Sequence, residues 1–195
     1  MSKPKDERKL ELISTACIRI VLTEGFNGLR MADVAKEAGI ATGTLYIYYS
    51  DKQSLVIDVF KRTKKELADA LFAFTPAPAG NDFFGIFKSW WYNYIQFAIN
   101  HPDRILFTDQ FLYSGFIPAE VILETDLLFQ PLDAFLVNAR EAGLILPLDT
   151  EIIKAQLMAP IHTLIKAAGK NIEVIDQRTI DGVFWMAWQS IQPQK

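Results

Sequence analysis

Residues 31–52 read MADVAKEAGIATGTLYIYYSDK, and this stretch decides the fold. Met31, Val34, Ala35 and Ala38 form a short apolar stripe at helical spacing, closed by Gly39, a residue free to take a left-handed turn. Thr42 to Tyr49 predicts a second short helix, and Ser50-Asp51 caps a longer one. A short helix, a glycine turn and another short helix is the layout of a helix-turn-helix, whose second helix lies in the DNA major groove. With Leu45 at the centre of the core face, Tyr49 shares that face, Gly43 and Ile47 point the opposite way, and Thr44 and Tyr46 lie on the flanks. Gly43 lets a backbone approach closely, Thr44 and Tyr46 offer hydroxyls to phosphates, and Ile47 can pack only against apolar surface such as a thymine methyl.

Upstream, Ile13, Ala16, Cys17, Ile20 and Val21 recur at i, i+3, i+4, so a first helix is expected over 6–24, stopped at Glu24-Gly25. Downstream, a connecting helix over 51–74 carries Leu55, Val59, Leu67 and Leu71 with the basic cluster Lys61-Arg62-Lys64-Lys65. Residues 1–65 hold 12 Lys/Arg against 8 Asp/Glu, whereas residues 66–195 hold 8 against 15. A basic end on an acidic chain suits a protein in which one surface meets phosphate and the rest stays off it.

The stretch 31–52 closely resembles the signature of the TetR family of bacterial transcriptional regulators, and the likeness extends over residues 10–60. The resemblance implies an all-helical homodimer whose N-terminal heads bind operator DNA and whose C-terminal bodies bind an inducer and form the dimer interface. It places Thr42, Gly43, Tyr46, Tyr48 and Lys52 at the family's usual DNA-contact positions, Lys52 as a phosphate-contacting lysine. Arg30 stands where family members often have Ser or Thr as the N-cap, and a cation at a helix N-terminus is mildly unfavourable. A phosphate contact by Arg30 would compensate. Ile47 replaces a commonly polar residue, so base preference does not transfer from relatives.

The body begins after the helix-breaking run Thr75-Pro76-Ala77-Pro78-Ala79-Gly80-Asn81-Asp82, which closes with an N-cap. Helices are expected over 83–99, 102–113, 118–142 with a kink or split at Pro131, 150–168 broken by Pro160, and 173–191. No period-2 run stands out, so the expected class is all-α with about nine helices: a head over 1–50 and a ligand-binding and dimerisation body over 81–195. Of the chain's 24 aromatic residues, 12 fall between Asn81 and Phe116, a concentration that suits either a core or a pocket for a small apolar or aromatic molecule. Candidate lining residues are Phe87, Trp90, Trp91, Tyr94, Phe107, Phe111 and His162, with Asn93 and Tyr113 as further polar tips, although His162 is more often a satisfied core histidine. The last helix carries Ile180, Val183, Phe184, Ala187 and Trp188 on one stripe, which with Trp185 is more than a terminal helix needs, and a two-fold dimer interface is expected there.

One cysteine and two histidines among 195 residues leave no material for a disulfide or a His/Cys metal cluster, so no metal or cofactor is expected. Cys17 sits on an apolar stripe, where a thiol is inert, and no Ser/His/Asp or two-His-carboxylate grouping is visible, so an enzyme is disfavoured. The charged start lacks an apolar core and nowhere do 18 apolar residues run together, so a soluble cytoplasmic protein without membrane contact is expected. A helical module that carries a hydrophobic cargo would share the aromatic body but leave the basic head unexplained.

Overall fold

The computed structural model describes residues 6–73, 82–112, 116–169, 171–172 and 175–193. Among them the chain is helical throughout, in the order α1 (Glu7–Gly28), α2 (Met31–Glu37), α3 (Thr42–Tyr48), α4 (Lys52–Leu71), α5 (Phe83–Asn100), α6 (Pro102–Leu112), α7 (Ala119–Asp126), a 3-10 turn (Leu127–Phe129), α8 (Gln130–Glu141), α9 (Thr150–Ala168) and α10 (Gln177–Ile191). The all-α expectation holds. No described helix is long and apolar enough to cross a membrane.

Most boundaries follow from local chemistry. Gly25 breaks α1 with φ 71° and ψ 172°, where expected, and three more residues of helical turn follow it. The Asp51 carboxylate accepts the Ser54 amide at 2.7 Å and Ser54 reaches back to the Asp51 amide, closing a capping box at the start of α4. That helix ends at Leu71 rather than near Phe74, and the expected loop 75–81 lies outside the described residues. Asp82 caps α5 through the Gly85 amide, Asp149 caps α9 and Asp176 caps α10.

Two proline expectations are corrected. Pro131 sits in the first turn of α8, where its missing N–H costs no intrahelical bond, so the break falls just upstream as the 3-10 turn. Pro160 does not break α9, which runs continuously through it. The carbonyl that Pro160 leaves without a donor belongs to Gln156 on the exposed side, where water can serve it, while Ile153, Leu157, Ile161 and Ile165 hold the inner stripe.

Two apolar cores share the chain. The head core joins Leu10, Ile13, Cys17, Val34, Leu45, Leu55 and Val59 from α1–α4 with Phe107, Phe111, Ile117 and Val121 from α6 to α7. The body core joins Leu67 and Leu71 at the end of α4 to the inner faces of α5, α8, α9 and α10. Helix α6 packs on α1 and α4 on one side and on α5 and α9 on the other, so it belongs to both units. Burial pushes the Cys17 thiol up to about 12, consistent with an inert core residue.

Candidate nucleic-acid interface

The head is rigid because each of its helices is tied to a neighbour. Met31, Val34 and Ala35 seat α2 on α1, where Arg19 pairs with Glu37. Gly39 takes φ 66° between α2 and α3, a conformation that a side chain would strain, and the Ile40 amide returns to the Ala35 carbonyl at 2.9 Å. Leu45 and Tyr49 anchor α3 from below. The Tyr49 hydroxyl donates to Asp58 at 2.6 Å, and Asp58 also accepts from Arg62 at 2.9 Å. Burial first, and then the bonded carboxylate, push the Tyr49 phenol above its ordinary range.

With Leu45 and Tyr49 pinned inward, the other side of α3 is turned out. Thr42 and Gly43 are exposed, Tyr46 is exposed, and Ile47 is 82% exposed. A Cβ added at Gly43 would meet nothing within 4 Å, so nothing inside the chain requires a glycine there. Thr44 is half-buried on the flank, while Tyr48 is half-buried and packs against the head core. Helix α3 carries no charged residue, so cationic contacts to phosphate must come from its flanks. Arg30 is exposed at the N-cap of α2 and makes no capping bond there. Lys52 starts α4 with its ammonium 4.4 Å from the centroid of the Phe26 ring, which itself rests on Phe116 at 3.7 Å. Phe26 is the residue sequence reasoning missed at this face, because its partners come from helices far along the chain.

The candidate pocket residues divide between the two cores. Phe87 and Trp91 turn inward from α5 among Phe184 and Trp188 of α10, and Tyr94, also buried, stacks on His162 of α9. Trp90 is half-buried between Phe72 and Phe135. Phe107 and Phe111 do not join them and lie in the head core, Phe107 against Phe111 and Phe111 against Phe26 and Phe116. The Asn93 side chain donates to the Leu71 carbonyl at 3.0 Å, and Tyr113 lies outside the described residues. Of two surface clefts, that of about 170 Å³ beside Leu146 and Ile152 includes none of the candidate lining residues, and that of about 290 Å³ beside Ala70 and His101 includes Asn93 but none of the candidate aromatic residues. The aromatic residues between α5 and α10 are packed on one another.

His162 is a satisfied histidine, held by a network. Its Nε2 lies 2.5 Å from the Tyr94 hydroxyl and its Nδ1 lies 2.7 Å from Asp109 on α6, whose other oxygen holds Lys166 at 2.7 Å. Burial opposes the charge on Asp109, but the hydrogen bonds and charges of His162 and Lys166 outweigh it and hold the carboxyl below its ordinary value. One turn or so earlier on α6, buried Arg104 donates to Glu66 of α4 at 2.5 Å and to Glu11 of α1 at 2.6 Å. Helix α6 is thus clamped to the head at one point and to the body at another. No spacing in the sequence connects these partners, which lie 38 to 93 residues apart for Arg104.

The stripe expected at a dimer interface faces the other way. Ile180, Phe184, Ala187 and Trp188 are buried in the chain's own body core and Val183 is half-buried against it. On the opposite side of α10 stand Gly182, Trp185 and Met186, the last 67% exposed, and Ile152 of α9, which packs on α10, is exposed as well. A stripe broad enough for two partners has spent its wider part on α5 and α9.

Residues 14–59 match the family described as bacterial regulatory proteins, tetR family, and residues 83–192, more than half the chain, match the one described as tetracyclin repressor-like, C-terminal domain. An HTH-type transcriptional regulator from Haemophilus influenzae is 26% identical over 192 residues, which span 93% of this chain and 95% of the relative. The crystal structure of a TetR family transcription regulator from Marinobacter aquaeolei VT8 superimposes with a TM-score of 0.86 at 23% identity, covering 97% of this chain and 98% of its own. The transcriptional regulator FadR from Bacillus subtilis, solved in complex with stearoyl-CoA, gives a TM-score of 0.70 at 16% identity over 93% of this chain and 99% of its own.

Proposed function

Starting from the fact that this chain belongs to the TetR family of bacterial regulatory proteins, DNA-binding transcriptional regulators and not enzymes, we propose that it is a homodimeric repressor that a largely apolar small molecule releases from a two-fold symmetric operator. One observation carries the reading: α3 presents Gly43, Tyr46 and Ile47 outward with no use for them inside the chain. An uncharged helix face flanked by Arg30 and Lys52 suits base edges at its centre and phosphates at its rim. Two heads per dimer reach half-sites about one helical turn, ~34 Å, apart, which lets so small a head bind specifically.

The outward side of α9 and α10, with Ile152, Trp185 and Met186, supplies the apolar surface for the two-fold contact. The ligand reading rests on the aromatic interior of α5 and on the complex of one similar fold, the Bacillus subtilis regulator, with stearoyl-CoA. Release works by population shift: a ligand that binds better to a body arrangement with mismatched heads drains the operator-bound form. Helix α6 is placed for that coupling, since Arg104 ties it to α1 and α4 while Asp109 ties it to α9.

Footprinting of the purified protein on DNA upstream of its own and neighbouring genes, at two salt concentrations, tests the reading. A symmetric protected site that fades as salt rises is the expected result. Absence of any protected or selected sequence, random-sequence selection included, overturns it.

A further inference from the structure

Helix α4 carries five cations, and four of them meet carboxylates of the chain itself: Lys61 meets Glu124, Arg62 meets Asp58 and Glu7, Lys64 meets Asp126, and Lys65 meets Asp69. The basic cluster of α4 is thereby neutralised from within. Lys52 is the fifth. It pairs with no carboxylate among the described residues, and it stands in the first turn of α4, where the helix dipole disfavours a cation. Its ammonium rests instead 4.4 Å from the centroid of the Phe26 ring, in the short turn that follows the break at Gly25. That half-buried ring has its own footing: Phe116 lies 3.7 Å away, and Phe111 of α6 meets it edge-on at 6.2 Å.

We propose that Phe26 is a positioning residue for DNA binding: its ring holds the Lys52 ammonium ready for a phosphate at the rim of α3, and the footing of that ring on Phe111 and Phe116 makes the contact answer to α6. The inference rests on the DNA-binding reading above, in which Lys52 meets phosphate, and adds what holds the contact and what governs it. A lysine is a point charge on a flexible four-carbon stem, so a phosphate contact made by a free one costs the rotamer freedom of the stem. A seat occupied in advance removes much of that cost. The nature of the seat matters as well. A carboxylate beside Lys52 would compete with the phosphate for its N–H groups, as the partners of the other four cations do, whereas a ring face attracts the cation and leaves those donors open. Phe111 belongs to α6, so a shift of that helix that withdraws Phe111 and Phe116 loosens the ring and, with it, the lysine.

Fluorescence anisotropy of the full chain on the footprinted operator and on a duplex of arbitrary sequence tests the seat, because a phosphate contact is indifferent to sequence. Lys52→Met is expected to weaken both and to lower the log–log salt slope by about one unit per head. Phe26→Leu keeps an apolar body without the ring and weakens both by about two- to fivefold per head, while Phe26→Tyr, which keeps the ring, binds like the parent. In the Lys52→Met background, Phe26→Leu costs nothing further, which a merely structural role of Phe26 would not give. A second readout needs no DNA. In a lysine-selective NMR spectrum the Lys52 ε-methylene protons, identified by their loss in Lys52→Met, are displaced upfield by the ring, less so in Phe116→Leu and not at all in Phe26→Leu. Additive losses from Phe26→Leu and Lys52→Met, a Phe26→Tyr protein as weak as Phe26→Leu, an undisplaced Lys52 signal in the parent, or a displacement indifferent to Phe116→Leu overturns the proposal. Should Phe26→Leu fail to fold, the parent spectrum decides. An operator footprint with Phe26 and Lys52 uncoupled removes the ring seat alone, whereas a displaced Lys52 signal in a chain that binds neither DNA removes the DNA-binding reading and the role of the seat with it.

Discussion

Replacing thymine by uracil in the operator deletes one methyl group per base, and Ile47 is the residue positioned to notice. Its side chain is 82% exposed on a helix with no charged residue, held out by buried Leu45 on the opposite face. A methyl withdrawn from apolar contact costs about 0.8 kcal/mol, so loss from both half-sites of a symmetric operator costs about 1.6 kcal/mol. At about 1.4 kcal/mol per decade, that is a weakening of roughly fifteenfold. The assay is fluorescence anisotropy on the footprinted site, with deoxyuridine placed at each symmetric pair of thymines in turn. One pair is expected to respond. Ile47→Ala weakens the parent operator and abolishes the difference between thymine and uracil at that pair, while the melting temperature stays put because nothing in the chain packs on the side chain. Uracil tolerated at every position, or an undiminished uracil effect in Ile47→Ala, refutes the assignment of Ile47 to a thymine methyl.

Gly43→Ala adds a Cβ that meets nothing within 4 Å, so it raises stability by up to about 0.5 kcal/mol through helix propensity yet weakens operator binding; thermal melts and anisotropy should move in opposite senses. Arg30→Ala weakens binding about equally for all DNA sequences and lowers the log–log salt slope by about one unit per head, and an unchanged slope removes its phosphate contact. Arg104→Met strips a buried guanidinium from Glu11 and Glu66, which are exposed enough to rehydrate, so the loss is about 2 kcal/mol, under the usual figure for a broken buried pair. Calorimetry should show a fall of about 4–8 °C, partly restored by adding Glu66→Gln, since burial raises the Glu66 carboxyl despite its partner. Asp109 titrates lower in the folded chain than its ordinary 3.8, so it stabilises the fold above that value and the contribution disappears as pH falls through the lowered one. Urea midpoints of parent and Asp109→Asn should therefore differ at neutral pH and converge below about pH 4.

The head was legible because its determinants are local. Gly39 marks the turn, Leu45 sets the phase of α3, and Asp51 caps α4, each acting within four residues of the position it decides. The body was legible in its helices and less so in what covers them. Periodicity locates an apolar stripe but does not name its partner, which is why Phe184 and Trp188 turned out to serve the monomer's core, and why Phe107 and Phe111 parted from Trp91 to join the head. Prolines misled for a related reason. Loss of one hydrogen bond is local, but whether a helix survives it depends on packing along its other face, as α9 does through Pro160.

By itself the sequence determined the all-helical class, the helix-turn-helix and the outward residues of α3, because turn chemistry and the 3.6-residue period act over short range. Only the tertiary structure decided that α6 would be shared by head and body. Arg104 meets Glu11 and Glu66, and Asp109 meets His162 and Lys166, through contacts between residues up to 93 positions apart. Charges on a helix face pair with whatever the packing brings to them, and that choice belongs to the three-dimensional arrangement of the apolar faces.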